Sequence, residues 1–166
     1  MIIAVTGKPG AGKTTFGVYY ALKLCKKSNR KLYVNMKSFN CDVVEYEYIS
    51  VRDLPRVREG VILLDEANYI FNSRFWDRIS PDVIRMWQMH RKKGIDIILT
   101  THSLRRVDKI LRELVQYEYR VVRFPVLYVI RVFDMDIERD KGSLRIYLAR
   151  YVNKVWKYFD SLEEIE

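Results

Sequence analysis

The chain is poor in the residues that staple, break or anchor a fold. Only two cysteines occur in 166 residues, Cys25 in a helical stretch and Cys41 beyond it. They have neither the number of a disulfide framework nor metal-ligand spacing, and they suit a reducing compartment. No apolar run approaches the about 18 residues of a membrane span, although 49% of the residues are hydrophobic. The opening apolar segment leads into glycine and lysine rather than a small-residue cleavage site, so no secretory leader is read and a cytoplasmic location is expected. Repeats, low-complexity tracts and linkers are missing, and a chain of this length is expected to form one domain with a proper core. Acids are also in deficit. Against 30 Lys and Arg there are 21 Asp and Glu, a net charge of +9. That balance brings a polyanionic partner into consideration beside a generically basic surface.

Glycine is scarce overall but concentrated at one place. Val5-Thr6-Gly7-Lys8-Pro9-Gly10-Ala11-Gly12-Lys13-Thr14-Thr15 fits the phosphate-loop template of glycine, any four residues, then Gly-Lys-Thr. An apolar run, Ile2-Ile3-Ala4-Val5, precedes it and a helical pattern follows, the strand–loop–helix context such a loop needs. The glycines let backbone amides turn inward around a phosphate chain. Lys13 at a helix N-terminus would reach the β- and γ-phosphates, and the Thr14 hydroxyl would meet magnesium. Residues Gly7, Lys8, Pro9, Gly10, Ala11, Gly12, Lys13, Thr14 and Thr15 are therefore the expected nucleotide-binding set, with ATP and Mg²⁺ as ligands.

The rest of the pattern alternates strands with helices. A strand over about 2–6 feeds a helix over about 13–28; Leu32 to Met36 and Val43 to Ile49 read as extended. Val61-Ile62-Leu63-Leu64-Asp65 is a continuous apolar run of the kind buried on both faces of a parallel sheet. Ser80 as N-cap, Pro81 at the first helical position and Asp82 in the first turn open a helix expected to end near Gly94. Ile95 to Thr101 is the next buried strand, and Ser103 is expected to cap a helix through about Val115. This spelling predicts an α/β fold, mostly parallel, with right-handed crossovers. The core is expected to run to about residue 116. A β-rich extension over about 117–160 follows, from Tyr119 to Asp136 and Leu144 to Val152, joined as a C-terminal β-hairpin around Asp140-Lys141-Gly142. A short acidic tail closes the chain at Glu163, Glu164 and Glu166.

A triphosphate site needs a carboxylate for magnesium, and Asp65 stands at the carboxyl end of a buried strand, where such sheets bind ligands. Glu66 follows directly, with the reach to orient and deprotonate an attacking water. Adjacent acids argue for hydrolysis rather than nucleotide-regulated binding alone, and no guanine-reading Asn-Lys-x-Asp element follows. At the tip of the neighbouring strand, Thr101 and His102 are candidates to sense the γ-phosphate. A single His at a strand end also serves purely structural ends.

Between Arg85 and Arg112 the chain places eight basic residues against Asp96 and Asp108. On one continuous helix, Leu104, Val107, Ile110, Leu111 and Leu114 would face inward, leaving Arg105, Arg106, Lys109 and Arg112 outward. Such a stripe either tracks nucleic-acid phosphates or offers an arginine finger to a neighbouring subunit, with Arg91 and Arg112 the candidates. His90-Arg91-Lys92-Lys93 at a helix C-terminus also stabilises the helix dipole without any partner.

Taken together, these segments resemble the zonula occludens toxin-like (Zot) ATPases of the FtsK/HerA superfamily. The likeness rests on Gly7 to Thr14, on Leu63-Leu64-Asp65-Glu66-Ala67-Asn68, and on Met89 to Leu99, which is similar to the family's His-Arg, glycine, Asp-Ile pattern. Leu111-Arg112-Glu113-Leu114-Val115 resembles its Arg-Glu-Leu segment, and Trp156-Lys157-Tyr158-Phe159-Asp160-Ser161 its closing aromatic-Asp-Thr element. The resemblance implies a RecA-like sheet, a ring-forming homo-oligomer, and ATP hydrolysis coupled to moving double-stranded DNA or assembling a viral particle. Viral coat or membrane proteins are the further partners it implies. His102 departs from it, standing where this superfamily usually has glutamine. The membrane-spanning segment common after this ATPase region is also not found, so a packaging motor is expected rather than an extrusion machine. The alternative is a nucleotide-dependent assembly protein that docks on a coat or membrane partner without touching DNA.

Overall fold

A computed structural model describes residues 1–72, 79–136 and 142–160. Among these residues, eight strands form one sheet in the order β3-β2-β4-β5-β1-β6-β7-β8. The strands are β1 (Ile2–Thr6), β2 (Leu32–Val34), β3 (Tyr46–Tyr48), β4 (Gly60–Leu64), β5 (Ile95–Thr101), β6 (Tyr117–Arg123), β7 (Leu127–Asp134) and β8 (Ser143–Leu148). Pairings from β3 through β6 are parallel, and those of β6 with β7 and β7 with β8 are antiparallel.

The continuous apolar runs follow from burial on both faces. Ile3, Val5, Val61, Leu63 and Ile98 face one cluster, with Phe16, Val18, Ala21 and Leu22 of α1 (Lys13–Ser28). Ile2, Ala4, Ile62, Leu64, Ile97 and Leu99 face the other, with Val83, Met86 and Trp87 of α3 (Pro81–Gln88) and Leu111 of α4 (Lys109–Glu113). A further short helix, α2 (Ala67–Ile70), follows β4, and α5 (Ala149–Val152) follows β8.

The strand over 2–6 and the helix over 13–28 stand where the sequence puts them. Two helices are shorter than expected, for local reasons. Ser80 does accept from the Asp82 N–H at 3.3 Å, but α3 stops at Gln88. There the His90 ring Nδ1 donates to Trp87 O at 2.6 Å, and a run of turns carries the chain to Gly94 at φ 66°. The segment after Ser103 is not one helix. Ser103 caps a 3₁₀ turn, Leu104–Arg106, and Asp108 then acts as a second N-cap, accepting from the Ile110 N–H at 2.9 Å. An Asp side chain competes well for free N–H groups at a helix start, so the run breaks at Val107. Ile110, expected to be inward, is consequently exposed.

The β-rich extension is continuous with the parallel sheet, because β6 pairs in parallel with β1. Its hairpin is β7–β8. The stretch from Tyr119 to Asp136 holds two strands rather than one, dividing where Pro125 cannot donate to a ladder. Ala149 to Val152 is helical. The turn residues Asp140 and Lys141, Ser161 and the acidic tail lie outside the described residues.

Candidate active site

The loop of residues 7–12 leaves β1 at the carboxyl edge of the sheet and hands the chain to α1. Asp65 leaves β4 at that same edge, and β5 lies between the two, so its tip meets both. Strand order therefore assembles the site from segments 35 to 89 residues apart.

Two loop glycines are required by their surroundings. A Cβ on Gly7 would lie 2.7 Å from the Val121 carbonyl oxygen of β6. Gly12, the N-cap of α1, sits at φ 79° and ψ 29°, with Tyr128 only 2.7 Å from the position a Cβ would take. Gly12→Ala is expected to destabilise the protein by about 1–3 kcal/mol, combining left-handed strain with a clash. Denaturant unfolding checks this, and a midpoint equal to that of the parent contradicts it.

Lys13 is 6% exposed. Its ammonium meets neutral acceptors, donating to Lys8 O at 3.3 Å and to His102 Nδ1 at 3.2 Å. Burial lowers its pKa, opposed by the nearby Glu66 and Asp65 carboxylates. Because Nδ1 accepts from an ammonium, the His102 proton belongs on Nε2, which stands 3.6 Å from Glu66 Oε2. Lys13, His102 and Glu66 thus form a chain across the cleft.

Asp65 is almost wholly buried and heavily supported. Thr14 Oγ1 donates to its Oδ2 at 3.2 Å and Thr100 Oγ1 to its Oδ1 at 2.6 Å. Its backbone is clamped by Asn35, which accepts from the Asp65 N–H at 2.7 Å and donates to the Asp65 carbonyl at 3.1 Å. Burial raises the carboxyl pKa above the ordinary value, and the two threonine hydroxyls pull against that rise. Glu66 adopts a left-handed conformation (φ 49°, ψ 47°), fixed by its N–H donating to Thr100 Oγ1 at 2.9 Å. Oε2 of Glu66 is buried and has no hydrogen-bond partner among the described residues.

Of the two sensor candidates, His102 lines the cleft with Lys13 and Glu66. Thr101 turns to the other face and donates to Asn68 Oδ1 at 3.0 Å. Thr100, which sequence reading passed over, is the hydroxyl that reaches Asp65. Arg105, Arg106 and Lys109 are exposed as expected, though on two short segments rather than one helical face. Arg112 is half-buried beside a cavity shared with Arg105, Glu118 and Arg120. Arg91 is exposed in the turns between α3 and β5, at the edge where β5 enters the sheet, opposite the cleft.

The cleft, about 710 Å³, runs from the loop to a wall of Arg123, Trp156 and Phe159 supplied by the C-terminal extension. Trp156 Nε1 donates to Thr15 Oγ1 at 2.9 Å, and the Arg123 guanidinium lies 4.7 Å from the Trp156 ring centre. Only the resemblance of residues 156–161 to a family element drew attention to this segment, and Arg123 carried no signal in a β-rich stretch.

Among the described residues no group of three or more His, Cys, Asp or Glu is placed to hold a metal by itself. Magnesium is usually held by one or two protein oxygens completed by substrate phosphates and water, and the adjacent Thr14 hydroxyl and Asp65 carboxylate fit that pattern. No helix among the described residues is long and apolar enough to cross a membrane.

The sequence model of the Zonular occludens toxin (Zot) family matches residues 44–162, a span holding Asp65, Glu66 and Trp156 but not the loop. The Gene 1 protein of Enterobacteria phage I2-2 is 30% identical over 135 residues, covering 68% of this chain and 37% of that protein. The Gene 1 protein of Salmonella phage IKe matches to the same extent. This chain therefore spans well under half the length of those relatives. Among solved structures, the N-terminal domain of zonular occludens toxin from Neisseria meningitidis superposes with a TM-score of 0.67 at 21% identity, over 92% of this chain and 96% of that one. The genome packaging NTPase B204 from Sulfolobus turreted icosahedral virus 2, in complex with ATP-gammaS, gives 0.62 at 13% identity, over 88% and 95%. Both are similar in fold, a mostly parallel α/β sheet of the phosphate-loop NTPase kind.

Proposed function

The chain belongs to the Zonular occludens toxin (Zot) family, and on that premise we propose that it is an ATP-hydrolysing motor of the FtsK/HerA type, acting on DNA in viral genome packaging or assembly. One observation carries the reading: Lys13 and Thr14 meet Asp65 and Glu66 across a single cleft. Loop amides and Lys13 hold the β- and γ-phosphates. Thr14 and Asp65 hold Mg²⁺, which when bound neutralises charge on the phosphates. Glu66 orients the attacking water and takes its proton. His102, linked to both Lys13 and Glu66, senses whether the γ-phosphate is present.

A cation from a neighbouring copy would complete the charge stabilisation. Arg91 lies at the opposite edge from its own cleft, so it serves only a copy packed head to tail; Arg112 is the other candidate. Such a contact makes the working form a homo-oligomer, with a ring as its closed form. Arg105, Arg106 and Lys109 supply the surface that tracks DNA phosphates.

ATP hydrolysis by the purified chain, with and without double-stranded DNA, tests this. DNA is expected to stimulate turnover, and DNA affinity to fall steeply with salt, by about 10³ or more between 50 and 200 mM if six phosphates are contacted. An ATPase that binds no DNA even at low salt favours the assembly role on a coat or membrane partner instead.

A further inference from the structure

We propose that the Arg123–Trp156 stack, which lines the cleft together with Phe159, is the seat of the nucleotide's base, and that it takes purines by stacking rather than by reading their edges. The inference rests on the nucleotide reading above and extends it to the half of the cleft that the phosphate loop leaves unexplained.

Beyond Thr15 the lining changes character. Backbone amides and an ammonium give way to an indole, a phenyl ring and a guanidinium. Trp156 lies on the 3₁₀ segment Asn153–Tyr158. Its indole N–H is spent on Thr15, one residue past the proposed magnesium ligand, while the residue stays 46% exposed. A tryptophan whose polar edge is satisfied and which is still half exposed offers an apolar plate on which a planar ligand can stack. Arg123, at the end of β6, lies against that plate.

The plate is also preformed. Tyr128 Oη donates to Asn153 Oδ1 at 2.8 Å on one side of Trp156, and the Asn40 N–H donates to Tyr158 O at 2.8 Å on the other. Tyr128 is the same residue that packs beneath Gly12. The extension thus fixes the loop and the wall as one piece, which limits the ordering cost of binding.

The chemistry of the wall sets its selectivity. With the indole N–H engaged, the Arg123 N–H groups are the side-chain polar atoms left on it, and they only donate. Adenine and guanine share an N7 acceptor and a two-ring face, whereas their exocyclic groups differ. An N–H donor free at a base edge would favour the guanine O6 over the adenine amino group, but the Arg123 guanidinium is engaged against the Trp156 ring, so stacking decides and ATP and GTP are predicted to be near-equal substrates, with pyrimidine nucleotides weaker.

Steady-state hydrolysis by the full chain, with tripolyphosphate as a base-free competitor, tests this. Trp156→Ala should raise KM for ATP about tenfold with kcat little changed, Trp156→Phe should recover most of the loss, and Arg123→Ala should raise KM by about threefold. Inhibition by tripolyphosphate should stay constant across all of them. In the parent chain ATP and GTP should agree within about threefold, and CTP should need about tenfold more. Equal KM for ATP and CTP overturns the proposal without any variant. An unchanged KM in Trp156→Ala also overturns it, as does tripolyphosphate weakening in parallel, which marks a loop disturbed through the lost Thr15 bond. A parent chain that neither binds nor hydrolyses any nucleoside triphosphate refutes the nucleotide reading itself.

Discussion

Glu66→Gln is expected to slow ATP hydrolysis by about 10²–10⁴ while ATP binding survives, the range lost when a positioned general base is removed. The substitution keeps the volume and one acceptor oxygen but deletes the group that can take a proton. The geometry favours that role over a structural one. Glu66 is held in a left-handed conformation, uncommon for a residue with a Cβ, and its N–H is tied to Thr100 Oγ1. That hydroxyl in turn donates to Asp65, so base and metal ligand are set by one side chain. Oε2 of Glu66 is buried without a hydrogen-bond partner among the described residues, with the His102 ring nitrogen 3.6 Å away. Leaving such an oxygen without a donor costs about 1–3 kcal/mol, a cost that a water bound there removes. Single-turnover hydrolysis and equilibrium ATP binding on the same preparation separate the two effects. Hydrolysis at the parent rate takes Glu66 out of the mechanism; loss of binding makes it a structural residue.

The parts of this site that were legible in the sequence are those coded locally. The loop from Gly7 to Thr14, the helix it starts and the acid pair after β4 each depend on neighbours a few residues away. Residue spelling is enough to place them. What could not be read is set by strand order. Nothing local says that β5 lies between β1 and β4, so Thr100 was indistinguishable from Thr101 until the pleat gave one to Asp65 and the other to Asn68. Asn35 clamps Asp65 for the same reason, across thirty residues of chain. The helix expected from Ser103 to Val115 failed at Asp108, where capping chemistry overrode a valid apolar period. The extension was visible as β-rich, but its contribution of a wall to the cleft depends on β6 pairing with β1. That is a tertiary event without a sequence signature.

Asp65→Asn is expected to move activity and stability in opposite directions. Burial raises the Asp65 carboxyl pKa above its ordinary value. For an acid shifted upward, the folded state binds the proton more tightly than the unfolded chain. The associated stability is full below the unfolded pKa and is lost as pH rises through the folded one. At neutral pH the nucleotide-free protein therefore carries a buried carboxylate that folding disfavours. Asparagine keeps an acceptor for Thr100 and presents its amide to Thr14 Oγ1, so neither partner is orphaned. Relief of about 1 kcal/mol would raise the melting temperature at pH 7 by about 2–4 °C, and the gain should vanish at a pH low enough to protonate Asp65 in both states. Hydrolysis should fall by about 10² or more, because a neutral amide is a poor magnesium ligand where the carboxylate supplies the charge. Thermal melts with and without ATP and magnesium check both halves. The parent should gain more from the ligands than the variant does, since only the parent converts its buried charge into a metal bond. A variant that melts lower without ligand contradicts the electrostatic account, and one that hydrolyses ATP normally removes Asp65 from the metal site. A carboxylate that costs stability when the cleft is empty and repays it only on metal binding is the expected mark of a residue held for chemistry rather than for folding.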